Sequence, residues 1–173
     1  MLKLLRNTFA TKDHQGNIIR WQYLEDLHQN QDREGLRLAN KLSGAHVNWQ
    51  AQEMKVKLAA QTQSSSVADS LEFCRDGLQL AAFQNCHSTV QFLQTVDQVF
   101  DILNSRNKFA RGLKGAMKPD QSDGDCSALP VLESAFSYLK ALTDVAGKLL
   151  YKTQKKTATV GFLATIRAVQ GIY

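Results

Sequence analysis

The 173-residue chain is long enough to form one domain with a substantial hydrophobic core. Apolar residues make up 43% of it and charged residues 21%, a balance that excludes a disordered or fibrous protein. Its apolar runs fall well short of the ~18 residues of a membrane span, so we expect a soluble, intracellular protein. The net charge of +5 is uneven, with basic clusters at 105–118 and 148–156 that predict either phosphate contact or a solvated face.

Hydrophobic periodicity predicts helices along almost the whole chain. Two prolines and ten glycines leave few breaks, and no long stretch alternates as a half-buried strand does. The predicted helices cover about residues 17–42 (with a break near 31–35), 49–61, 67–75, 88–103, 130–149 and 157–172. The sequence therefore predicts an all-α fold, a single helical domain of about six or seven helices.

Particular residues are expected to begin or end these helices. Gly44 is predicted to end the first helical region, and Ser88 to cap the helix whose apolar stripe runs from Val90 to Leu103. Pro130 suits the first turn of the next helix. Between these two helices, residues 105–128 are predicted to be a long irregular segment.

The sequence contains no recognisable catalytic motif. A P-loop, G-x-S-x-G and H-E-x-x-H are all missing from it. Cys74, Cys86 and Cys126 lack the paired spacing of a zinc site and are predicted to be buried free thiols. We therefore predict no catalytic residue, and no metal site made by side chains.

Five sequence blocks, in a fixed order, span essentially the whole chain: LKLLRNTF, EGLRLANKLSGAHVNW, MKVKLAAQTQSSSVADSLEF, FDILNSRN and GFLATIRAVQGIY. Together they resemble the P-element family of DNA transposases, which includes the THAP-domain transposase-like proteins of animals. In that family an RNase H-like catalytic domain with three metal-binding carboxylates is interrupted by a largely helical insertion that binds GTP.

The resemblance implies a domain organisation. Residues 1–14 would be a flank of the RNase H-like catalytic domain, 15–156 the GTP-binding insertion, and 157–173 a return segment toward the catalytic domain. The catalytic carboxylates would lie outside this chain, on either side of it. The fragment would then have no enzymatic activity of its own, although its parent resembles a DNA transposase.

The resemblance also implies a nucleotide site. By this resemblance, Asp101 matches the guanine-reading aspartate of the family. A carboxylate suits this role because it accepts hydrogen bonds from both adjacent donors of the guanine edge, whereas adenine offers an acceptor there. Phe100 and Asn104 lie beside it in the family's pocket, and Asp101 and Asn104, three residues apart, share a helix face. The remaining matched contacts are Lys41, Lys55 and Val56.

Other interpretations of these residues remain open. Asp101 is also compatible with a solvated charge, although a carboxylate near a helix C-terminus is electrostatically unfavourable. Phe100 is compatible with a purely core position, and Lys41 and Lys55 with solvated surface positions. The cations that follow Asn104 exceed what a triphosphate needs, so we expect most of them to face DNA phosphates, with Arg106 as the exception to expect first because it is closest to the pocket. These DNA-contact candidates are Arg106, Lys108, Arg111 and Lys114.

The resulting hypothesis is a GTP-binding insertion domain of a nuclear, P-element-like DNA transposase. GTP, with Mg²⁺ on its phosphates, would serve as a structural cofactor for assembly on transposon-end DNA and would not be hydrolysed. Its partners would be GTP, that DNA and the RNase H-like domain of the same chain, with no membrane. Two alternatives are a helical scaffold of a domesticated transposase-like protein that no longer binds nucleotide, and a free-standing helical DNA-binding module, which would lack a recognisable recognition helix.

Overall fold

The computed structural model describes residues 10–35, 38, 41–48, 55–105, 112–115, 128–153 and 156–172. Most of these residues are helical, which confirms the predicted single, mostly helical domain. The α-helices of the described ranges are α1 (Gln22–Glu34), α2 (Gly44–Val47), α3 (Val56–Thr62), α4 (Ser65–Glu72), α5 (His87–Leu103), α6 (Ala128–Ala141) and α7 (Lys156–Gln170). A π-helical turn, Phe73–Gly77, continues α4, and a short 3₁₀ turn, Gly112–Lys114, follows α5.

Helix α5 is the centre of the hydrophobic core. It packs against α4 on one side and α6 on another, and it also contacts strand residues 18–20 and the 3₁₀ turn. Val90, Leu93 and Val96 of its predicted apolar stripe are fully buried, whereas Phe100 and Leu103 lie at the margin of the core. The stripe therefore brings the C-terminal turn of α5 toward the surface while the rest of the helix stays enclosed.

A small three-stranded antiparallel sheet lies beside the helices and was not predicted. Its strands are β1 (Ala10–Lys12), β2 (Ile18–Arg20) and β3 (Thr143–Asp144), in the order β2-β1-β3. The prediction that the first helix begins near residue 17 is therefore wrong. The β-branched residues there pair with β1, with Ile19 opposite Thr11, and bury one face of the strand.

The turn between β1 and β2 depends on the buried carboxylate of Asp13. One of its oxygens accepts hydrogen bonds from the backbone N–H groups of Gln15 (2.9 Å) and Asn17 (2.8 Å), which closes the turn. The other accepts a 2.7 Å hydrogen bond from the hydroxyl of Ser88 on α5. Burial raises the pKa of Asp13, but the hydrogen bonds from Ser88, Asn17 and Gln15 outweigh it, so the pKa lies below its ordinary value.

Three predicted helix ends are wrong for identifiable reasons. Ser88 does not cap α5: it is the second residue of the helix, and its hydroxyl donates to the carboxylate of Asp13. Cys86 occupies the N-cap position. Gly44 begins α2, where Ser43 and the imidazole of His46 form a capping box. The helix predicted to reach residue 149 ends at Ala141, because the chain then forms β3 and a turn at Gly147 (φ +82°), which leaves Val145 58% exposed.

Several predictions are only partly covered by the structure. The helix predicted over 49–61 is described from Val56 onward, and Pro130 lies in the first turn of α6 as predicted. The domain boundaries stay a prediction, although the β1–β2 hairpin spans the proposed boundary at residues 14 and 15 and α7 packs on α6. No helix in the described part of the chain has the length and apolar character needed to cross a membrane.

The hydrogen bond between Ser88 and Asp13 should contribute measurably to stability. Ser88→Ala should lower the free energy of unfolding by about 1.5–3 kcal/mol, because a buried carboxylate loses a donor. A native-state pKa below the unfolded value means that the contribution of Asp13 is present above the ordinary aspartate pKa and is lost as pH falls through the lowered one. Denaturant unfolding of the variant and the wild type across this acidic range measures both effects.

Ser137→Ala is a matched control for this experiment, because Ser137 is exposed on α6. It should change the free energy of unfolding by less than about 0.5 kcal/mol. Equal effects of the two substitutions, or an effect of Ser88→Ala that persists unchanged at the acidic end, would contradict the role assigned to Asp13.

Candidate functional site

Asp101 occupies a partly buried position on the last turn of α5. Its side chain is 25% exposed, and its Oδ2 atom lies 3.5 Å from the Nζ atom of Lys114. Burial raises the pKa of the Asp101 carboxyl above its ordinary value, and the negative charge of Asp97 raises it further. The ammonium of Lys114 opposes both effects without cancelling them. The position is therefore suited to hydrogen-bond donors that stabilise the ionised carboxylate.

Asp97, one turn before Asp101, links α5 to the beginning of α4. Its Oδ2 atom accepts a 2.9 Å hydrogen bond from the backbone N–H of Ser65 and a second, short one from the Ser65 hydroxyl. Ser65 is the first residue of α4, so a carboxylate from a different helix satisfies a donor of its first turn. Asp69, the acidic residue of α4 one turn after Ser65, is exposed and is not part of this contact.

The corner between α3 and α4 is built around this contact. Ser64 is the N-cap residue of α4, but its hydroxyl donates backward to the carbonyl oxygen of Gln61 at 2.8 Å. Thr62 in turn donates its hydroxyl to the carbonyl oxygen of Leu58 at 2.7 Å. The corner is thus closed by its own side chains and fixed to α5 by Asp97.

Phe100 and Asn104 flank Asp101 at the end of α5. Phe100 is half-buried against the core, and Asn104 is the exposed C-cap residue, whose backbone N–H donates to the carbonyl oxygen of Phe100 at 2.9 Å. The last turn of α5 and its C-cap therefore carry an aromatic ring, a carboxylate and an amide. These are the three residues that the sequence predicted for the base.

The other predicted nucleotide contacts lie at the start of α3 and in the segment before α2. Lys55 is the N-cap residue of α3, and Val56 is its first residue and 52% exposed. Lys41 is exposed and precedes α2, which packs on α3 through a 3.2 Å hydrogen bond between His46 and Gln61. Within the described residues, no hydrogen bond or ion pair joins Lys41 or Lys55 to Asp101; α5 is joined to the α3–α4 corner by the contact of Asp97 with Ser65.

The structure describes the position of only one of the four DNA-contact candidates. Arg106, Lys108 and Arg111 lie outside the described residues. Lys114 is exposed at its ammonium but pairs with Asp101, and its carbonyl oxygen accepts a 2.8 Å hydrogen bond from the hydroxyl of Ser105. A residue predicted to face DNA therefore contacts the predicted guanine-reading carboxylate.

No group of three or more potential metal ligands among His, Cys, Asp and Glu occurs in the described ranges. Cys74 and Cys86 are free and buried as predicted, and burial raises the pKa of both thiols. Cys126 lies outside the described residues. Asp97 and Asp101 are the two carboxylates of α5, and the first of them is already engaged by Ser65.

A separate cavity of about 300 Å³ lies at the other end of α4, between Cys74, Leu38 and the C-terminal part of α1. Its walls are mostly apolar, and the buried amide of Gln31 lines it without a hydrogen-bond partner among the residues that the structure describes. None of the residues predicted to bind nucleotide lines it among those described. The candidate site is thus the surface around Asp101 rather than this apolar cavity.

Comparison with known proteins places this arrangement in a family. The family model described as a TNP-like GTP-binding insertion domain matches residues 1–116. The chain belongs to this family. The matched range contains α1 to α5 and every residue predicted to bind nucleotide, whereas α6, α7 and β3 of this TNP-like insertion domain lie beyond it.

A longer relative supports the same assignment. Human DNA transposase THAP9 is 31% identical to this TNP-like domain over 176 residues, an alignment that covers the whole chain and 19% of the human protein. The chain thus spans about a fifth of that relative's length. The predicted resemblance to P-element and THAP-domain transposases is confirmed by both comparisons. No solved structure matches the chain.

Sequence reasoning missed two residues of this site. Asp97 lies four residues before Asp101, a spacing that could have marked a shared helix face, but its partner Ser65 is 32 residues away. Lys114 was predicted for a different role because its contact with Asp101 requires the chain to turn back after α5. Both contacts depend on tertiary structure rather than on local spacing.

The contact between Asp97 and Ser65 should stabilise the start of α4. Asp97→Ala should lower the free energy of unfolding by about 1–2 kcal/mol, as the loss of other hydrogen-bond acceptors at helix N-termini does. It should also reduce the hydrogen-exchange protection of the first-turn amides of α4. Asp97→Asn keeps an acceptor oxygen and should retain most of that protection. Asp69→Ala, an exposed substitution on α4, is the matched control; an equal loss of protection there would contradict this role of Asp97.

Proposed function

We propose that this chain binds GTP through a site at the end of α5, and that the carboxylate of Asp101 recognises the guanine base. The observation that carries the proposal is the partly buried Asp101 carboxylate, flanked by Phe100 and Asn104, in a domain of a GTP-binding family. The family resemblance of the sequence points to the same three residues.

The proposed recognition follows from the donor pattern of guanine. Its N1–H and exocyclic amino group are adjacent donors, and an ionised carboxylate accepts both, whereas adenine presents an acceptor at N1. Partial burial of Asp101 strengthens this pairing because fewer water molecules compete for the carboxylate oxygens. Phe100 supplies an apolar surface for the base, and the exposed amide of Asn104 offers a further hydrogen bond.

The ribose and triphosphate are proposed to extend toward α3 and the segment before α2. Lys55 and Lys41 carry exposed ammonium groups that suit phosphate oxygens, and exposed Val56 provides an apolar wall. Mg²⁺ would be held chiefly by the phosphates themselves, in keeping with its preference for oxygen ligands and water. The α3–α4 corner, fixed to α5 by Asp97, would keep the two parts of the site in register.

For the whole protein we propose a nuclear DNA transposase related to P-element and THAP-type proteins. The relative with matching sequence is named as a DNA transposase, and this chain spans about a fifth of its length. The catalytic carboxylates would lie in an RNase H-like domain outside the chain, so GTP bound here would act as a structural cofactor for assembly on transposon-end DNA. Arg106, Lys108, Arg111 and Lys114 remain the candidates for that DNA contact.

One observation favours a second candidate function, a helical scaffold without nucleotide. The ion pair with Lys114 gives the Asp101 carboxylate a partner inside the domain, so no ligand is needed to compensate its charge. A titration of the purified chain with GTP distinguishes the two functions.

The decisive variant is Asp101→Asn. The wild type should bind GTP in preference to ATP, and the variant should bind GTP about 30- to 1000-fold more weakly, equivalent to the ~2–4 kcal/mol of a lost bidentate charged pair. Xanthosine triphosphate, whose edge carries an acceptor, should gain relative to GTP in the variant. Isothermal titration calorimetry with the three nucleotides measures these differences.

Asp69→Asn, on the exposed face of α4, should bind GTP like the wild type and serves as the matched control. The nucleotide recovered after the titration should still be intact GTP. Unchanged GTP affinity in Asp101→Asn would exclude Asp101 from the site, and wild-type protein that binds neither nucleotide would favour the scaffold function.

The GTP affinity should also depend on pH in a defined direction. Only the ionised Asp101 carboxylate accepts both guanine donors, so affinity should fall as pH falls through the pKa of Asp101. Because burial and Asp97 raise that pKa, the loss should begin at a higher pH than for an ordinary aspartate. Asp97→Asn removes one neighbouring charge and should move the loss to lower pH, while Asp76→Asn at the far end of α4 should not. Identical pH profiles for the wild type and Asp97→Asn would contradict this coupling.

A further inference from the structure

We propose that Lys114 is an internal competitor of guanine, which binds the Asp101 carboxylate in the nucleotide-free domain and is displaced when the base arrives. The inference concerns regulation of the proposed nucleotide site and therefore rests on the function proposed for Asp101. It assigns to Lys114 a role that differs from the DNA contact expected from its place in a basic segment.

The geometry of Lys114 separates an anchored backbone from a free side chain. Its carbonyl oxygen is held by the Ser105 hydroxyl at 2.8 Å, and the turn that contains it is closed by a 3.0 Å hydrogen bond from Gly115 N–H to the Gly112 carbonyl oxygen. The turn contacts α5, and Gly112 has a left-handed φ of +61° that the turn requires. The side chain of Lys114, by contrast, is 69% exposed.

This separation allows the ammonium to leave Asp101 without any rearrangement of the turn. Lysine has four rotatable side-chain bonds, and rotation about them moves Nζ into solvent while the backbone hydrogen bonds persist. The exchange therefore needs only a side-chain motion, which for an exposed residue is fast compared with ligand dissociation.

The ion pair is also weak enough to be displaced. It is a single 3.5 Å contact from an exposed ammonium, and pairs of this kind favour the bound arrangement by roughly fivefold at most. Guanine offers two neutral donors aligned with both carboxylate oxygens. The Lys114 pair should therefore lower the apparent affinity for the base by a small factor, up to about fivefold, without preventing binding.

A competing cation at this point has a physical reason. Asp101 is partly buried and lies one turn from the negative charge of Asp97, which makes an uncompensated carboxylate costly. Lys114 supplies that compensation when no base is present. Displacement also frees one ammonium group, so bound guanine and an anion that captures the freed Lys114 should favour each other's binding reciprocally.

The test uses guanosine, an uncharged ligand that reports on the base site without the triphosphate. Lys114→Gln should bind guanosine up to about fivefold more tightly than the wild type. Added salt should tighten guanosine binding by the wild type, because it screens the competing ion pair, and should leave the variant unchanged. Amide chemical-shift titration at about pH 8 keeps Asp101 ionised and measures both constants.

Lys148→Gln is the matched control, because Lys148 is exposed in the turn after β3. It should behave like the wild type at every salt concentration. Weaker guanosine binding by Lys114→Gln would mean that Lys114 supports the bound base, and equal binding with no salt effect would mean that it is a bystander; either result overturns the proposal.

A parallel titration with GTP separates this proposal from the proposed function. If the wild type binds neither GTP nor guanosine, the nucleotide site itself is refuted. If GTP binding weakens in Lys114→Gln while guanosine binding tightens, the competitor role stands and the freed ammonium is captured by the triphosphate. If both ligands bind more tightly, the competitor role stands and the freed ammonium does not reach the triphosphate.

Discussion

The contact between the Asp97 carboxylate and the first turn of α4 is the interaction on which the proposed site depends. Helix α5 carries the residues proposed to read the base, whereas Lys55 and Val56 lie at the start of α3. A hydrophobic interface alone permits small sliding motions between helices, but the hydrogen bonds of the Asp97 carboxylate with the backbone and the hydroxyl of Ser65 fix the start of α4 relative to α5. Helix α3 leads into this corner, with Lys55 and Val56 at its opposite end.

The two carboxylates of α5 each have a partner inside the domain. Asp97 is engaged by Ser65, Asp101 is engaged by Lys114, and the two carboxylates lie one turn apart on the same face of α5. Each charge is partly screened by its own partner, yet the pKa of Asp101 remains raised, which shows that the compensation is incomplete. An incompletely compensated carboxylate binds incoming donors more readily than one held in a rigid buried pair. The same arrangement lowers the cost of the Asp101 charge and leaves its carboxylate accessible to the proposed ligand.

The helices were largely predictable because apolar residues repeat at helical spacing over many turns. The stripe from Val90 to Val96 is buried as predicted, and α7 covers nearly the predicted range. The sheet was not predictable in this way, since strands of two or three residues are shorter than any alternation that a sequence can display. Ser88 illustrates a related limit: its hydroxyl has the local chemistry of a helix cap but is used by Asp13, 75 residues earlier in the chain.

The residues of the candidate site, like the elements of the fold, were only partly predictable from the sequence. Phe100, Asp101 and Asn104 were predicted because they match a family block, and the structure places them at the C-terminal end of α5. The partners of the carboxylates on α5, Ser65 and Lys114, come from other parts of the chain and required the fold. The family resemblance therefore predicted the residues proposed to face a base, but not the contacts that Ser65 and Lys114 make with the carboxylates beside them.

The most direct test of the central claim is to observe the guanine N1–H itself in the bound state. In a complex of the chain with GTP labelled with ¹⁵N at N1, the imino proton should be protected from exchange with water and shifted downfield by a charged acceptor. It should also show nuclear Overhauser contacts to the side chains of Phe100 or Asn104. An imino proton that exchanges as in free GTP, or whose contacts lie elsewhere, such as the cavity beside Gln31, would contradict guanine recognition by Asp101.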